Sequence, residues 1–428
     1  MSPNLTNDPA SLFRAYVDAV TDGEEPDFEA LCEKHPSAAA DLRARHREWR
    51  SIMGDLEAHH SEPEELEEDA WSALLEQLRA RGPAWTRYED QGEIARGGMG
   101  SVRLVYDRDA RRKLAMKVML HPEDCGITHP ADKRRFLGRF LEEAQITAQL
   151  DHPGIVPVHE IGLSEDETAY FTMKLVRGRD LEQVFRLVQK GEKGWSVARA
   201  LGVFQRVCEA VAYAHTKGVV HRDLKPANIM VGRFGETYVM DWGLARLVDD
   251  SGKRDATVEF AGDERKGTAP LLVGAEEEGI ARPRTQEGAI LGTPHYMPPE
   301  QAAGDLSAIS PRTDVYALGA MLYQLLSGFR PYEEDGDDPS PGTVLGRIFE
   351  GPPTPLRELA PSLPDGLLAI VECAMEREPA RRYSDTNSLS DALRGFLEGE
   401  ASDSSDTQDE HASRLGRLAR GLLRAPSN

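Results

Sequence analysis

Apolar residues recur at helical spacing from the start of the chain. Leu12, Phe13, Tyr16, Val17 and Val20 form one stripe with the three-to-four-residue period of an amphipathic helix. Phe28, Leu31 and Cys32 make a second, shorter patch closed by Pro36, and Ala38, Leu42, Trp49, Ile52 and Met53 make a third. The acidic run Glu62-Pro63-Glu64-Glu65-Leu66-Glu67-Glu68-Asp69 reads as a solvated linker or a helix start. Trp71, Leu74, Leu75 and Leu78 mark one more helix, stopped by Gly82-Pro83. At Tyr88 the pattern changes. Short extended runs at Val102 to Tyr106, Leu114 to Val118 and from Tyr170 predict strands, with a helix over Lys133 to Leu150 between the last two. Helices then dominate: Ala198 to Lys217 carries Val203, Val207, Val211 and Tyr213 among its apolar positions. Ala317 to Leu326 is apolar but too short to cross a bilayer, which takes about 18 or more such residues, and reads as a buried helix.

Periodicity fades in two places. Residues 249–288, rich in Gly, Glu, Asp, Arg and Ala, are expected to be a mobile or disordered insertion. Beyond about residue 398, Ser402-Asp403-Ser404-Ser405-Asp406 has the composition of a disordered segment. The final stretch sets Leu415, Leu418, Leu422 and Leu423 among Arg414, Arg417, Arg420 and Arg424. It reads as a free tail or as a basic amphipathic helix, the one feature of the chain suited to contact with an anionic membrane. The expected organisation is a helical extension over 1–86, a mixed catalytic part over 87–398 and a tail over 399–428.

Composition narrows the class. The 428 residues suffice for two or three domains, and 40% hydrophobic with 29% charged residues describes a soluble globular protein. A formal net charge of −22 repels phosphate backbones, so nucleic acid is not an expected partner. Four cysteines, Cys32, Cys125, Cys208 and Cys373, lie far apart with no C-x-x-C pair, which argues against a zinc site or disulfide framework and fits a reducing compartment. Asp8 and Asp18 interrupt any signal-like apolar run, so a cytoplasmic location is expected.

The chemistry concentrates in His221-Arg222-Asp223-Leu224-Lys225-Pro226-Ala227-Asn228-Ile229-Met230. Apolar residues on both sides (Val219 and Val220, Ile229 and Met230) suggest a loop held rigidly at its ends, where scaffolds carry function. Asp223 is placed to accept a proton from a hydroxyl, and Asn228 offers a neutral oxygen suited to a hard cation such as Mg²⁺. A second apolar run, Tyr238-Val239-Met240, ends in Asp241-Trp242-Gly243, another carboxylate with a glycine beside it. Upstream, Ile94-Ala95-Arg96-Gly97-Gly98-Met99-Gly100-Ser101-Val102 lies between extended runs, and its glycines allow backbone N–H groups to approach an anion. Lys117 sits in the apolar strand Leu114-Ala115-Met116-Lys117-Val118, where a charge is costly unless paired.

These stretches resemble protein kinases: H-R-D-x-x-x-x-N at 221–228, D-F-G with Trp242 for Phe, G-x-G-x-x-G-x-V with Ala95 at the first glycine, and V-A-I-K at 114–117. Gly292-Thr293-Pro294-His295-Tyr296-Met297-Pro298-Pro299-Glu300 resembles the substrate-docking turn and A-P-E, with Pro298 for Ala. Glu378-Pro379-Ala380-Arg381-Arg382-Tyr383 resembles the late D-P-x-x-R box. More narrowly, the G-G-M-G loop, the D-W-G triplet and Lys225 resemble bacterial Hanks-type serine/threonine kinases.

The resemblance implies an α+β, bilobal kinase fold, with a small β-rich lobe over 87–174 and a larger helical lobe over 177–398 after the helical extension. It implies ATP and Mg²⁺ as cofactors and protein serine and threonine hydroxyls as acceptors, with a regulatory partner for residues 1–86 as a further possibility. Asp223 takes the catalytic role, Lys225 steadies the γ-phosphoryl group and Thr293 hydrogen-bonds to both. Gly97, Gly98 and Gly100 cover the phosphates; Ile94, Val102, Ala115, Met173, Val176 and Met230 join them in nucleotide binding, Met173 as gatekeeper. Lys117 binds phosphate oxygens and takes a glutamate partner from the next helix, Glu143 by resemblance with Glu142 as the rival. Asn228 and Asp241 hold the metal. The Asp of Asp314-Val315-Tyr316 braces the catalytic loop, Arg382 pairs with Glu300, and Thr285, with Thr257 and Thr268 as alternatives, is the expected phosphorylation site. A nucleotide-binding scaffold without turnover is the alternative reading.

Overall fold

The computed structural model describes residues 84–192, 194–247, 294–333 and 339–403, with shorter pieces at 12–13, 16, 28–36, 38–43, 45–47 and 74–82. The predicted insertion at 249–288 and the basic stretch after 404 lie outside the described residues. Among the described residues no helix is long and apolar enough to cross a membrane.

The small lobe is one five-stranded antiparallel sheet. Its strands are β1 (Tyr88–Arg96), β2 (Gly100–Asp107), β3 (Arg112–Met119), β4 (Val158–Leu163) and β5 (Ala169–Lys174), arranged β1-β2-β3-β5-β4. Alternation along β3 points Leu114 and Met116 into one cluster, with Val105 and Tyr170. Ala115 points into another, with Phe140, Leu141, Phe171 and Met173. Helix α1 (Pro130–Gln149) fills the second face. Pro130 opens it, where a missing N–H costs nothing, and the His129 side chain accepts from Ala131 N. The sequence places this helix at Lys133 to Leu150; it begins earlier because the proline is a start signal rather than a breaker.

The large lobe is built around α2 (Val197–Thr216) and α3 (Pro311–Ser327). Every residue of α3 from Thr313 to Ser327 is buried, so the apolar run at Ala317–Leu326 is the core of the lobe. Gly319 permits its neighbour helix α4 (Asp365–Ala374) to close in: a β-carbon there would stand 2.8 Å from the Ala374 β-carbon. Short strands β6 (Gly178–Asp180), β7 (Ile229–Gly232) and β8 (Thr237–Val239) form a sheet in the order β6-β7-β8 beneath the small lobe. A parallel bridge between Ile155 and Val239 joins the two lobes.

Glu300 and Arg382, 82 residues apart, lock the lobe's far side through two hydrogen bonds of 2.6 and 2.7 Å, with both side chains almost fully excluded from water. Arg382 also donates to the carbonyls of Glu376, Arg377 and Arg312. Removing the guanidinium strands a buried carboxylate. Arg382→Ala is therefore expected to lower the unfolding free energy by about 3–5 kcal/mol, measured by urea denaturation, with partial recovery when Glu300 is also replaced by an apolar residue.

Candidate active site

Gly100 sits where β2 passes closest to β3: a β-carbon there would meet the Val118 carbonyl at 2.9 Å and Lys117 Cγ at 3.2 Å. Gly97 N–H donates to the Gly100 carbonyl at 2.9 Å and closes the turn that contains Gly98. Ala95, at the first glycine position, pairs with Val102 just after an irregularity in the β1–β2 register between Glu93 and Ala95. Val102 lies opposite Lys117, and Ala115 opposite Met173, which brings the sheet residues of the predicted nucleotide site side by side. Val102 and Val176 pack on the small-lobe core from the cleft side, together with Met240. Ile94 is exposed on β1, and Met230, in β7, is half-buried.

Lys117 Nζ lies 2.5 and 2.7 Å from the two carboxylate oxygens of Glu143 and 3.4 Å from Asp241 Oδ1. The rivalry between Glu142 and Glu143 is thus decided by the phase of α1. Phe136, Phe140, Glu143 and Thr147 occupy its buried face, one or two turns apart. Gly243 makes room for the two acids, since a β-carbon there would be 3.0 Å from Glu143 Oε2.

Burial pushes the Glu143 carboxyl up to about 7, and the Asp241 charge adds to this while Lys117 opposes it. For Lys117 burial works to lower the ammonium's affinity for its proton, but the two carboxylates prevail and raise it. The Lys117 charge holds Asp241 below the ordinary aspartate value against the effect of burial.

The catalytic-loop candidates form a second cluster. Lys225 Nζ donates to Asp223 Oδ2 at 2.6 Å, and Asn228 Nδ2 donates to the Asp223 carbonyl at 2.9 Å and to its carboxylate at 3.3 Å. Met240 N–H donates to the Asn228 carbonyl at 2.9 Å, tying this loop to the one that carries Asp241. His221 joins both: its Nε2 donates to the Met240 carbonyl at 3.1 Å while its Nδ1 accepts from Asp223 N. Its ring lies 4.5 Å from that of Trp242, which is fully buried.

Beneath the loop, Asp314 is wholly buried and accepts from the backbone N–H groups of His221 and Arg222, both at 2.9 Å, and from His215 Nε2 at 2.7 Å. Burial alone would raise its carboxyl; the His215 hydrogen bond and the backbone donors hold it down. Sequence reasoning missed His215, whose only signal is its place at the end of α2, and Gln301, whose side chain donates to the Arg222 carbonyl at 2.9 Å. Thr293, Thr257, Thr268 and Thr285 lie outside the described residues.

A family model described as protein kinase domain matches residues 88–393. The chain belongs to the protein kinase domain family. The serine/threonine-protein kinase PknD of Protochlamydia amoebophila is 35% identical over 324 residues, covering 73% of this chain and 30% of that protein. PknD of Chlamydia muridarum is 36% identical over 333 residues, covering 74% and 32%. PknA of Mycobacterium tuberculosis is 33% identical over 317 residues, covering 73% and 62%. The chain therefore spans less than a third of the PknD proteins it matches. The bilobal architecture expected of a kinase domain is the one observed.

The elevated Glu143 has a pH consequence. Its contribution to stability is present in full below the unfolded value of 4.5 and is lost as pH rises through about 7. Relative to Glu143→Gln, the wild type should therefore lose unfolding free energy as pH rises from about 5 to about 8; parallel stability profiles for the two proteins contradict this.

Proposed function

We propose that the chain transfers the γ-phosphoryl group of ATP to serine and threonine hydroxyls of proteins. The observation that carries this reading is the convergence of Lys117, Glu143 and Asp241 within 3.4 Å contacts, across the cleft from the Asp223–Lys225–Asn228 cluster. The acceptor hydroxyl oxygen forms the new bond to the γ-phosphorus, the bond to the β,γ-bridging oxygen breaks, and ADP leaves with that electron pair. Asp223 orients the hydroxyl and takes its proton. Lys225, held on Asp223, neutralises charge on the transferring group, and Lys117 binds phosphate oxygens in a position fixed by Glu143.

The donor set suits Mg²⁺. Asp241 offers a carboxylate kept ionised by Lys117, and Asn228 directs its amide hydrogens to Asp223, leaving its amide oxygen for a hard cation. Among the described residues no cluster of three or more acidic, histidine or cysteine side chains could hold a metal alone. That fits an ion shared with substrate phosphates. Bound there, Mg²⁺ supplies positive charge that offsets the phosphates. A scaffold without turnover is not favoured, since Lys117, Asp223, Asn228 and Asp241 are all present.

Lys117→Met, Asp223→Asn and Asp241→Asn are each expected to reduce transfer of labelled γ-phosphate to a generic protein acceptor by at least about 10³-fold; the two aspartate changes leave thermal unfolding nearly unchanged, while Lys117→Met, which strands the buried Glu143 carboxyl, lowers the midpoint. Full transfer by Asp223→Asn would overturn the assignment. The chain is also expected to phosphorylate itself within residues 249–293, with Thr285 as acceptor and Thr257 or Thr268 as the alternatives, the new phosphate pairing with Arg222. Mass spectrometry after incubation with ATP and Mg²⁺ reads this directly, and an unmodified segment contradicts it.

A further inference from the structure

The match to the kinase family begins at residue 88, yet the small lobe does not. Residues 74–80 are helical, and Leu78 is only 4% exposed because it enters the same buried cluster as Phe140, Leu141 and Ala144 of α1 and Leu163 of β4. Leu74 and Leu75, one turn before it, pack on that cluster from outside. The next residue, Arg79, forms two parallel hydrogen bonds of 2.8 and 3.0 Å with Glu167 in the turn between β4 and β5. Gly82 follows in the left-handed conformation at φ +73°. Trp85 sets its ring edge-on to Tyr170 at 5.2 Å, and Arg87 grips the fully buried Asp107 with bonds of 2.7 and 2.6 Å. The earlier part of the extension has a core of its own, formed by Phe28, Cys32, Ala38 and Leu42 with Leu12, Phe13 and Tyr16.

The α1 residues that share the cluster with Leu78 are significant. Phe140 and Ala144 lie one turn apart on α1, and Glu143 lies between them. The 2.5 Å contact between Glu143 and Lys117 exists only while α1 keeps this rotation and distance from β3. In a close-packed core, removing a wedge from one side of a helix lets that helix shift. We propose that residues 74–87 are a strap that holds α1 in the position where Glu143 meets Lys117, with Leu78 as a positioning residue for phosphoryl transfer. The strap is also the covalent connection between the helical extension and the catalytic lobes.

The test uses the full chain, with the variants Leu78→Asp, Leu78→Met, Arg79→Glu, Glu167→Arg and the double charge reversal. The readouts are kcat and KM for ATP, taken well below each variant's unfolding midpoint, and amide hydrogen exchange over residues 136–147. Leu78→Asp is expected to lower kcat at least about tenfold and to speed exchange in α1, whereas Leu78→Met, of similar volume, stays within about twofold of the parent. Each single charge reversal speeds α1 exchange by about twofold, as expected for an exposed ion pair, and the double reversal restores it. A folded Leu78→Asp protein with a lower unfolding midpoint but unchanged kcat and unchanged α1 exchange would reduce the strap to scaffolding. If that variant does not fold, charge reversals that leave α1 exchange unaltered overturn the proposal. The strap rests on the kinase reading for its consequence, but amide exchange reports on α1 without turnover, so the two ideas fail separately.

Discussion

One carboxylate without access to water sets the geometry of the reactive loop. Asp314 lies near the start of α3, inside the large-lobe core, and its position is fixed by the packing of that helix. Its two oxygens take hydrogen bonds from successive backbone N–H groups, those of His221 and Arg222, so within the loop it fixes the main chain directly. Arg222 is held at φ +67°, a conformation that costs a non-glycine residue about 1–3 kcal/mol and persists where surrounding bonds over-determine it. Asp223, the next residue, inherits its direction from this arrangement. The same holds for Asp241, at φ +61°, whose preceding residue is tied to Asn228 and His221 by main-chain groups.

Across the cleft the constraint is electrostatic. Lys117 faces two carboxylates, and its side chain is only 13% exposed, so their charges are weakly screened. One ammonium does not satisfy both acids, which is why Glu143 is pushed up while Asp241, nearer to water and to Lys225, stays low. A cation beside Asp241 would relieve the excess negative charge. The apolar side of α1 makes this possible by excluding water from Glu143, so packing and charge are two aspects of one arrangement.

The chemistry was legible in the sequence because most of it sits in short contiguous strings, each fixed by its own turn. Asp223, Lys225 and Asn228 lie within six positions and meet in space as the motif requires. Glu143 was legible only by resemblance, although the spacing Phe136, Phe140, Glu143, Thr147 contains the helical phase that excludes Glu142 from the buried face. His215 and Gln301 were not legible, since each acts through a partner tens of residues away and neither carries a local signal. Two departures from the family pattern have different structural outcomes. Ala95 stays in β1, paired with Val102 beside a register irregularity. Trp242 fills a sealed space beside His221, and among the described residues its indole N–H has no partner.

The extension's last turn changes where the catalytic unit must be considered to begin. A fragment started at Tyr88, the first residue shared with the family, would bare the apolar seat of Leu78, worth about 1.5–3 kcal/mol for a side chain of that size. It would also leave Asp107 enclosed without its guanidinium partner. The segment that recurs among relatives and the segment that completes a hydrophobic core are thus different lengths of chain, and a cut made by homology passes through the packing rather than beside it.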